Sequence, residues 1–352
     1  MSSSIPHTYR RTPPWASLAS SKPHGAAPSH GRGRARAAVA LALIVAFASL
    51  AACSTDRDPE SLFSPTQVNI LVVDGALIVD QAFPEIFLSR TLSPLEPFTP
   101  ENAAENNATV IVSGGGVDIP YVQAPATDFP GKYEPSNSGA ARVSPNTTYQ
   151  LTVTTENGEE LTASTTTPER LHIDEWVLLD DSGTNIVKRL KTFEDFGNPD
   201  DIYRDPANQL TFSQGLLEAR LLRGLEPAYQ VAFFNLEEDP QFVIDTGFLE
   251  EEDLEEFEQQ VSSPALEAED GKLRAPWFAI FFAGKYKIRI NRLDTNWFDL
   301  IRSLPDGNPF GFGGAIGDNF EQPIFHIQGG IGLFGSAAVD SIGVNILPPP
   351  AP

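Results

Sequence analysis

Cysteine, methionine, histidine and lysine are all scarce in this 352-residue chain. It has one Cys, one Met and five His. A single thiol excludes an internal disulfide framework, a Cys-rich zinc site and a cysteine-ligated iron–sulfur cluster. Only His172 and His326 lie beyond residue 53, and neither has a partner at HxH or HxxxH spacing. The expected fate of each is a structural hydrogen bond, not a metal. No G-x-S-x-G occurs, and Gly335-Ser336 lacks that pattern, so no nucleophile elbow marks a serine hydrolase. Basic residues are few: 24 Lys+Arg stand against 47 Asp+Glu, a net charge of −23. A nucleic-acid partner is not expected, because phosphate binding needs a basic surface.

Acids are missing in one place only. Residues 1–53 carry Arg10, Arg11, Lys22, Arg32, Arg34 and Arg36 but no Asp or Glu, so everything beyond Cys53 carries a net −29. Only six Lys remain there, and acids are spread along the chain. High acid with scarce Lys resembles proteins of salt-loving organisms, where salt screens self-repulsion.

What is present at the N-terminus reads as an address. Arg32, Arg34 and Arg36 precede an apolar run of 14 residues, Ala37 to Leu50. A membrane-spanning helix wants about 20 apolar residues, so 14 fits a signal-peptide core better. The run ends in Leu50-Ala51-Ala52-Cys53, which resembles the bacterial lipobox. The resemblance implies cleavage before Cys53, lipidation of its thiol (a palmitate-type anchor) and no free thiol afterwards. Ser54, in place of an Asp, resembles an outer-membrane destination. Residues 1–30 are rich in Pro, Ser and His and form an atypically long extension. Residues 54–66 are polar with two prolines and read as a tether.

Length suggests about two domains, at roughly 150 residues each, and 41% apolar content excludes a wholly disordered chain. Residues 67–168 read as an Ig-like or fibronectin-like β-sandwich of about seven short strands. Candidates are Val68–Val73 closed by Asp74-Gly75, Ile86–Leu88, Thr109–Val112, Ile119–Val122 and a short one at Gly131–Tyr133. Tyr149, Leu151, Val153 and Thr155 then alternate with polar residues, Asn157-Gly158 gives a two-residue turn signal, and Leu161–Thr167 returns. The stretch from Val143 through Tyr149 to Val153 resembles late strands of fibronectin-like and carboxypeptidase-regulatory-like sandwiches, a resemblance that implies a Tyr149 bonding back across a corner.

Residues 169–352 read as a second β-rich domain with one or two short helices and a Pro-rich tail. Ile173–Leu179, Ile186–Leu190, Tyr229–Asn235, Phe278–Phe282, Tyr286–Ile290 and Ile342–Ile346 are strand-like. Asp294 can cap a helix carrying Trp297, Phe298, Leu300, Ile301 and Leu304. Leu254, Phe257 and Val261 predict a short helix over 248–261 whose acidic outer face reads first as a solvated face, with a cation site or a dock for a basic partner as the functional alternatives. Asp180–Asn185 is oxygen-rich but lacks the spacing of an EF-hand loop, so a turn is favoured over a calcium site. Gly311–Gly314 and Gly329–Gly332 have no nearby Lys and read as tight turns, not phosphate cradles.

The segment Phe325-His-Ile-Gln-Gly-Gly-Ile-Gly-Leu-Phe-Gly-Ser336 resembles a C-terminal pattern of one family of bacterial lipoproteins, known only as a domain of unknown function and often encoded beside TonB-dependent receptors. Val72–Gly75, Gly131–Tyr133, the Tyr149 hairpin and the strand–helix step from Tyr286 to Leu304 follow in the family's order, so the resemblance spans roughly residues 67–345. It implies an Ig-like first domain, a second β-rich domain, outer-membrane attachment and association with a receptor. It supplies no catalytic residues.

The resulting expectation is a non-enzymatic outer-membrane lipoprotein, anchored at Cys53, without cofactor or metal, serving a TonB-dependent transporter by binding ligand or docking on the receptor. Two alternatives stay open. One is a glycan-binding or adhesive module, for which Trp277, Trp297, Phe310 and Phe312 are the aromatic candidates. The other is a carboxylate-based hydrolase, which needs two acids about 5–9 Å apart in a cleft.

Overall fold

Alternation of apolar and polar side chains builds the first seven strands: β1 (Leu71–Ile78), β2 (Ile86–Arg90), β3 (Thr109–Gly114), β4 (Val117–Gln123), β5 (Lys132–Pro135), β6 (Thr148–Thr154) and β7 (Glu160–Thr166). The computed structural model describes residues 68–348 apart from 94–95, 126–129, 137–140, 212–214, 222–227, 245–257, 269, 276–279 and 305–322. The seven strands pair antiparallel in the order β1-β2-β5-β4-β3-β6-β7. Every second residue points inward, so Val73, Leu88, Val112, Tyr133, Leu151 and Leu161 meet in one buried core. This is a β-sandwich. A four-residue helix, α1 (Pro100–Ala103), interrupts it, capped by the Thr99 hydroxyl.

The expected first strand ends too early at Asp74-Gly75. β1 runs on through Gly75, which packs closely against Ile86 and Phe334, to Ile78, where its pairing with β17 ends. The hairpin between β6 and β7 is also wider than a two-residue turn. Thr155 N–H donates to Glu159 O, and Gly158 alone takes a left-handed conformation (φ 80°). Tyr149 does bond back across a corner: its hydroxyl accepts the Ser144 N–H at 2.9 Å.

Beyond residue 168 come β8 (Ile173–Leu179), β9 (Ile186–Arg189), β10 (Gln209–Thr211), β11 (Leu216–Leu221), β12 (Tyr229–Asn235), β13 (Gln260–Ser262), β14 (Lys272–Arg274), β15 (Gly284–Leu293), helix α2 (Thr295–Ser303), β16 (Ile327–Gln328) and β17 (Ile331–Leu347). A four-stranded sheet, β14-β11-β8-β9, supplies Trp176, Leu178 and Leu217 to a second buried core. Phe233, Ile288 and Val344 reach the same core from β12, β15 and β17. Phe278–Phe282 is not a strand over its described part. Phe282 makes only an isolated bridge with Phe242, and regular pairing starts at Gly284. Val261, expected on the acidic helix, lies in β13 and pairs with Phe233, so that helix cannot extend to 261. Residues 250–257 fall outside the described part, as do Gly311–Gly314 and the tail from residue 349.

The 17-residue β17 passes both cores. Its start, Ile331–Ala337, runs parallel to β1; its remainder, from Ala337 to Ile346, runs antiparallel to β15. One continuous sheet therefore carries strands of both cores. The protein is mostly β, with large sheets and a few short helices. Among the described residues no helix is long and apolar enough to cross a membrane.

Candidate functional site

Several long-range polar contacts, including one that spans 171 residues, meet where β7, β17 and α2 come together. Asp294 is the N-cap of α2, and its Oδ1 accepts the Trp297 N–H at 3.0 Å. Its Oδ2 accepts the Thr165 hydroxyl at 2.5 Å, and that hydroxyl lies 2.8 Å from Ser336 Oγ. Burial pushes the Asp294 carboxyl above its usual range, against the pull of these donors. The next side chain on α2, Asn296, donates through Nδ2 to Ser164 O (2.7 Å) and Phe334 O (2.9 Å), tying the helix to both strands. Ser336 is fully buried and its polar neighbours are Thr165 and Asp294, not an imidazole. This arrangement positions chain segments and gives Ser336 no base and no path to a substrate.

One helical turn further on, Asp299 accepts Arg302 Nε at 2.8 Å and His326 Nε2 at 2.7 Å. Desolvation raises this carboxyl, but the hydrogen bonds from His326 and Arg302 outweigh it and hold it below the usual carboxylate range. An ionised Asp299 can only accept, so His326 Nε2 is the donor. The contact fixes the imidazole on the segment that leads into β16. His172 sits apart, exposed and 3.8 Å from Asp174.

Beside this junction lies an open cleft of about 640 Å³. Its floor is the outward face of β6 and β7, where Gln150, Thr152, Thr162 and Ser164 alternate with core residues. Its wall is the segment Phe325–Gln328, and Asn296 closes one end. The register explains the grouping. Gln328 pairs with Thr162, and Thr162 with Thr152, so three polar side chains stand in one cross-strand row. Ser164, Gln150 and Ser113 form the next row. Ile327 instead points inward and packs on the sandwich core. No lining residue carries a formal charge apart from what His326 can take up.

A second cleft, about 600 Å³, lies on the outer face of β1, β2 and β5, with Val72, Phe87, Phe98 and Pro130 as apolar walls. Lys132 at its rim is held by Glu85 (2.8 Å) and Glu134 (3.0 Å).

A family model described as "Domain of unknown function (DUF4249)" matches residues 58–342. The chain belongs to the DUF4249 family. The segments that carried the sequence resemblance all lie inside this span. No curated protein matches the chain. One solved structure is similar at 9% identity and a TM-score of 0.17, covering 80% of this chain; it comes from work titled "Structural insight into host cell surface retention of a 1.5-MDa bacterial ice-binding adhesin". The chain spans 65% of that structure's length, and at this TM-score the likeness carries no argument.

The fate of the other sequence candidates in this DUF4249 chain is mixed. The Asp180–Asn185 loop is a self-capped turn: Asp180 accepts Ser182 Oγ, the Thr184 and Asn185 N–H groups and Asn185 Nδ2. Those bonds hold its carboxyl well below the usual range. Among the described residues no group of three His, Cys, Asp or Glu is placed to hold a metal ion. Trp297 is half-buried beneath Gly335, while Trp277, Phe310, Phe312 and Cys53 lie outside the described residues. Sequence reasoning found the Asp294 cap and the Phe325–Ser336 segment. It missed Thr165, Asn296 and Asp299, whose roles depend on strand pairings more than 100 residues apart or on a helix register that composition does not reveal.

Proposed function

We propose that this DUF4249 chain is a non-enzymatic lipoprotein, anchored through Cys53 in the outer membrane, that serves a TonB-dependent transporter by binding ligand or docking on the receptor. The observation that carries the reading is the chain's sole thiol at the end of Leu50-Ala51-Ala52-Cys53, behind the basic Arg32–Arg36 stretch and a 14-residue apolar run. Lipid attachment at Cys53 leaves the polar tether of residues 54–66 as a leash, which spans at most about 45 Å. A leash of that length lets a lipid-anchored sandwich reach a membrane-embedded receptor, which supports the reading. The buried Thr165–Asp294–Ser336 cluster, saturated internally, supports a binding role over a catalytic one.

The test compares tagged wild type with Cys53→Ser. Wild type is expected in the outer-membrane fraction, with acyl chains on the N-terminal peptide by mass spectrometry and a TonB-dependent receptor recovered from detergent extracts. The serine variant is expected to lose all three. Wild type that carries lipid but is recovered alone removes the receptor half of the reading; wild type without lipid removes the anchor.

A further inference from the structure

We infer that the cleft between the β6–β7 face and the Phe325–Gln328 wall is a binding site for a neutral glycan chain. The inference rests on the binding-protein reading above and names the ligand class of that protein.

The argument begins with charge. The chain carries −23 overall, with acids along its length. Yet the outward positions that meet at this cleft and its border carry hydroxyls and amides: Gln328, Thr162 and Thr152 in one row across β16, β7 and β6, and Ser164, Gln150 and Ser113 in the next across β7, β6 and β3, while Glu160 and Ile111 on the same face lie outside the lining. Neighbouring strands stand about 4.8 Å apart, and alternate residues along a strand about 7 Å apart. The face is therefore a regular lattice of donors and acceptors at about the dimensions of a pyranose ring. Ser, Thr, Asn and Gln side chains each both donate and accept, which is what a sugar hydroxyl requires from its partner.

The wall adds the other two elements of such a site. Phe325 is half-buried and lines the cleft, offering an apolar surface to the C–H face of a ring. His326 is held by Asp299 at 2.7 Å, so its imidazole is presented to the cleft in a fixed orientation, with little ordering cost on binding. Asn296 is held by two backbone carbonyls at the end of the cleft. A volume of about 640 Å³ accommodates a few sugar units, and the open shape suits a chain passing through. Charge selects among glycans. An anionic polysaccharide meets the repulsion of the whole protein, and a cationic partner finds no carboxylate among the lining residues.

The test uses the full-length lipoprotein in detergent and calorimetric titration with cellohexaose, maltoheptaose, xylohexaose and laminarin, with polygalacturonate as the anionic probe. At least one neutral probe is expected to bind. Gln150→Ala and Phe325→Ala are each expected to weaken it at least tenfold, and Thr162→Lys to abolish it. Val187→Ala, an exposed position on β9, is expected to leave binding unchanged. Binding of none of the neutral probes overturns the inference. So does binding unaffected by all three cleft substitutions, or a preference for polygalacturonate. Circular dichroism of each variant separates lost binding from lost folding. Receptor recovery is scored on the same preparations: a receptor recovered without glycan binding overturns this inference alone, and glycan binding without a receptor overturns the transporter reading alone.

Discussion

Thr165 on β7 and Asp294 at the head of α2, 129 residues apart in sequence, share a buried hydrogen bond of 2.5 Å. The contact joins the last strand of the sandwich to the helix that follows β15. Ser336 on β17 completes it at 2.8 Å, so three separate segments depend on one carboxylate.

Removing that carboxylate is expected to cost more than a helix cap alone. Asp294→Ala takes away the acceptor for Trp297 N–H, worth about 1 kcal/mol, and leaves a buried hydroxyl without its partner, about 1–3 kcal/mol more. The expected loss is about 2–4 kcal/mol by urea unfolding. Asp294→Asn keeps the capping oxygen and removes a charge that burial disfavours, so its loss should be clearly smaller. Equal losses for the two variants would show that the side-chain oxygen is not what matters.

Much of this arrangement was legible in local sequence and part of it was not. The alternation Tyr149, Leu151, Val153 identifies β6 because a half-buried strand imposes period two, and Asp294 identifies a cap because an orphan N–H wants a short acceptor. What stayed hidden was pairing across distance. Ile342–Ile346 reads as a strand, but nothing local shows that it belongs to a 17-residue strand whose first half runs beside β1. The cleft was hidden for the same reason: Gln150 and Gln328 become neighbours only once β16 docks on β7.

The Asp299 contacts predict a stability that depends on pH. The folded carboxyl lies below its ordinary value, since the bonds from His326 and Arg302 outweigh the opposing desolvation. Its contribution is therefore complete above the unfolded value of about 4 and is lost as pH falls through that value toward the folded one. Asp299→Asn lacks this titration. The wild-type advantage in urea midpoint should be present at pH 6 and shrink steadily between about pH 5 and pH 3. A difference that stays constant over that range contradicts the assignment. Asp294 and Asp340, both raised by burial, act in the opposite direction in both proteins and cancel in the comparison.

Tyr149 is expected to matter through its hydroxyl as well as its ring. The ring is buried and meets Phe83 edge-on at 5.6 Å, while the hydroxyl accepts the Ser144 N–H. Tyr149→Phe keeps the first contact and orphans the amide, for a loss of about 1–2 kcal/mol. Hydrogen exchange at the Ser144 amide should accelerate in the same variant. Unchanged protection there would mean that another acceptor holds the amide.

The glycines after β16 should be irreplaceable because of close approach, and not only because of backbone conformation. Gly332 takes φ +111°, and a Cβ there would fall 2.1 Å from Val73 O, inside the parallel pairing of β17 with β1. Gly158, at φ +80° in the β6–β7 turn, has nothing within 4 Å of the same added atom. Both Ala variants pay the left-handed penalty of about 1–2 kcal/mol. Only Gly332→Ala must also push β17 away from β1, which opens a ladder running from Val72 to Ile78. Gly158→Ala should therefore remain folded with a loss of about 1 kcal/mol, while Gly332→Ala should lose at least twice as much or fail to fold. Similar losses at the two positions would show that β17 tolerates displacement, and that the glycine-rich run serves the turn alone.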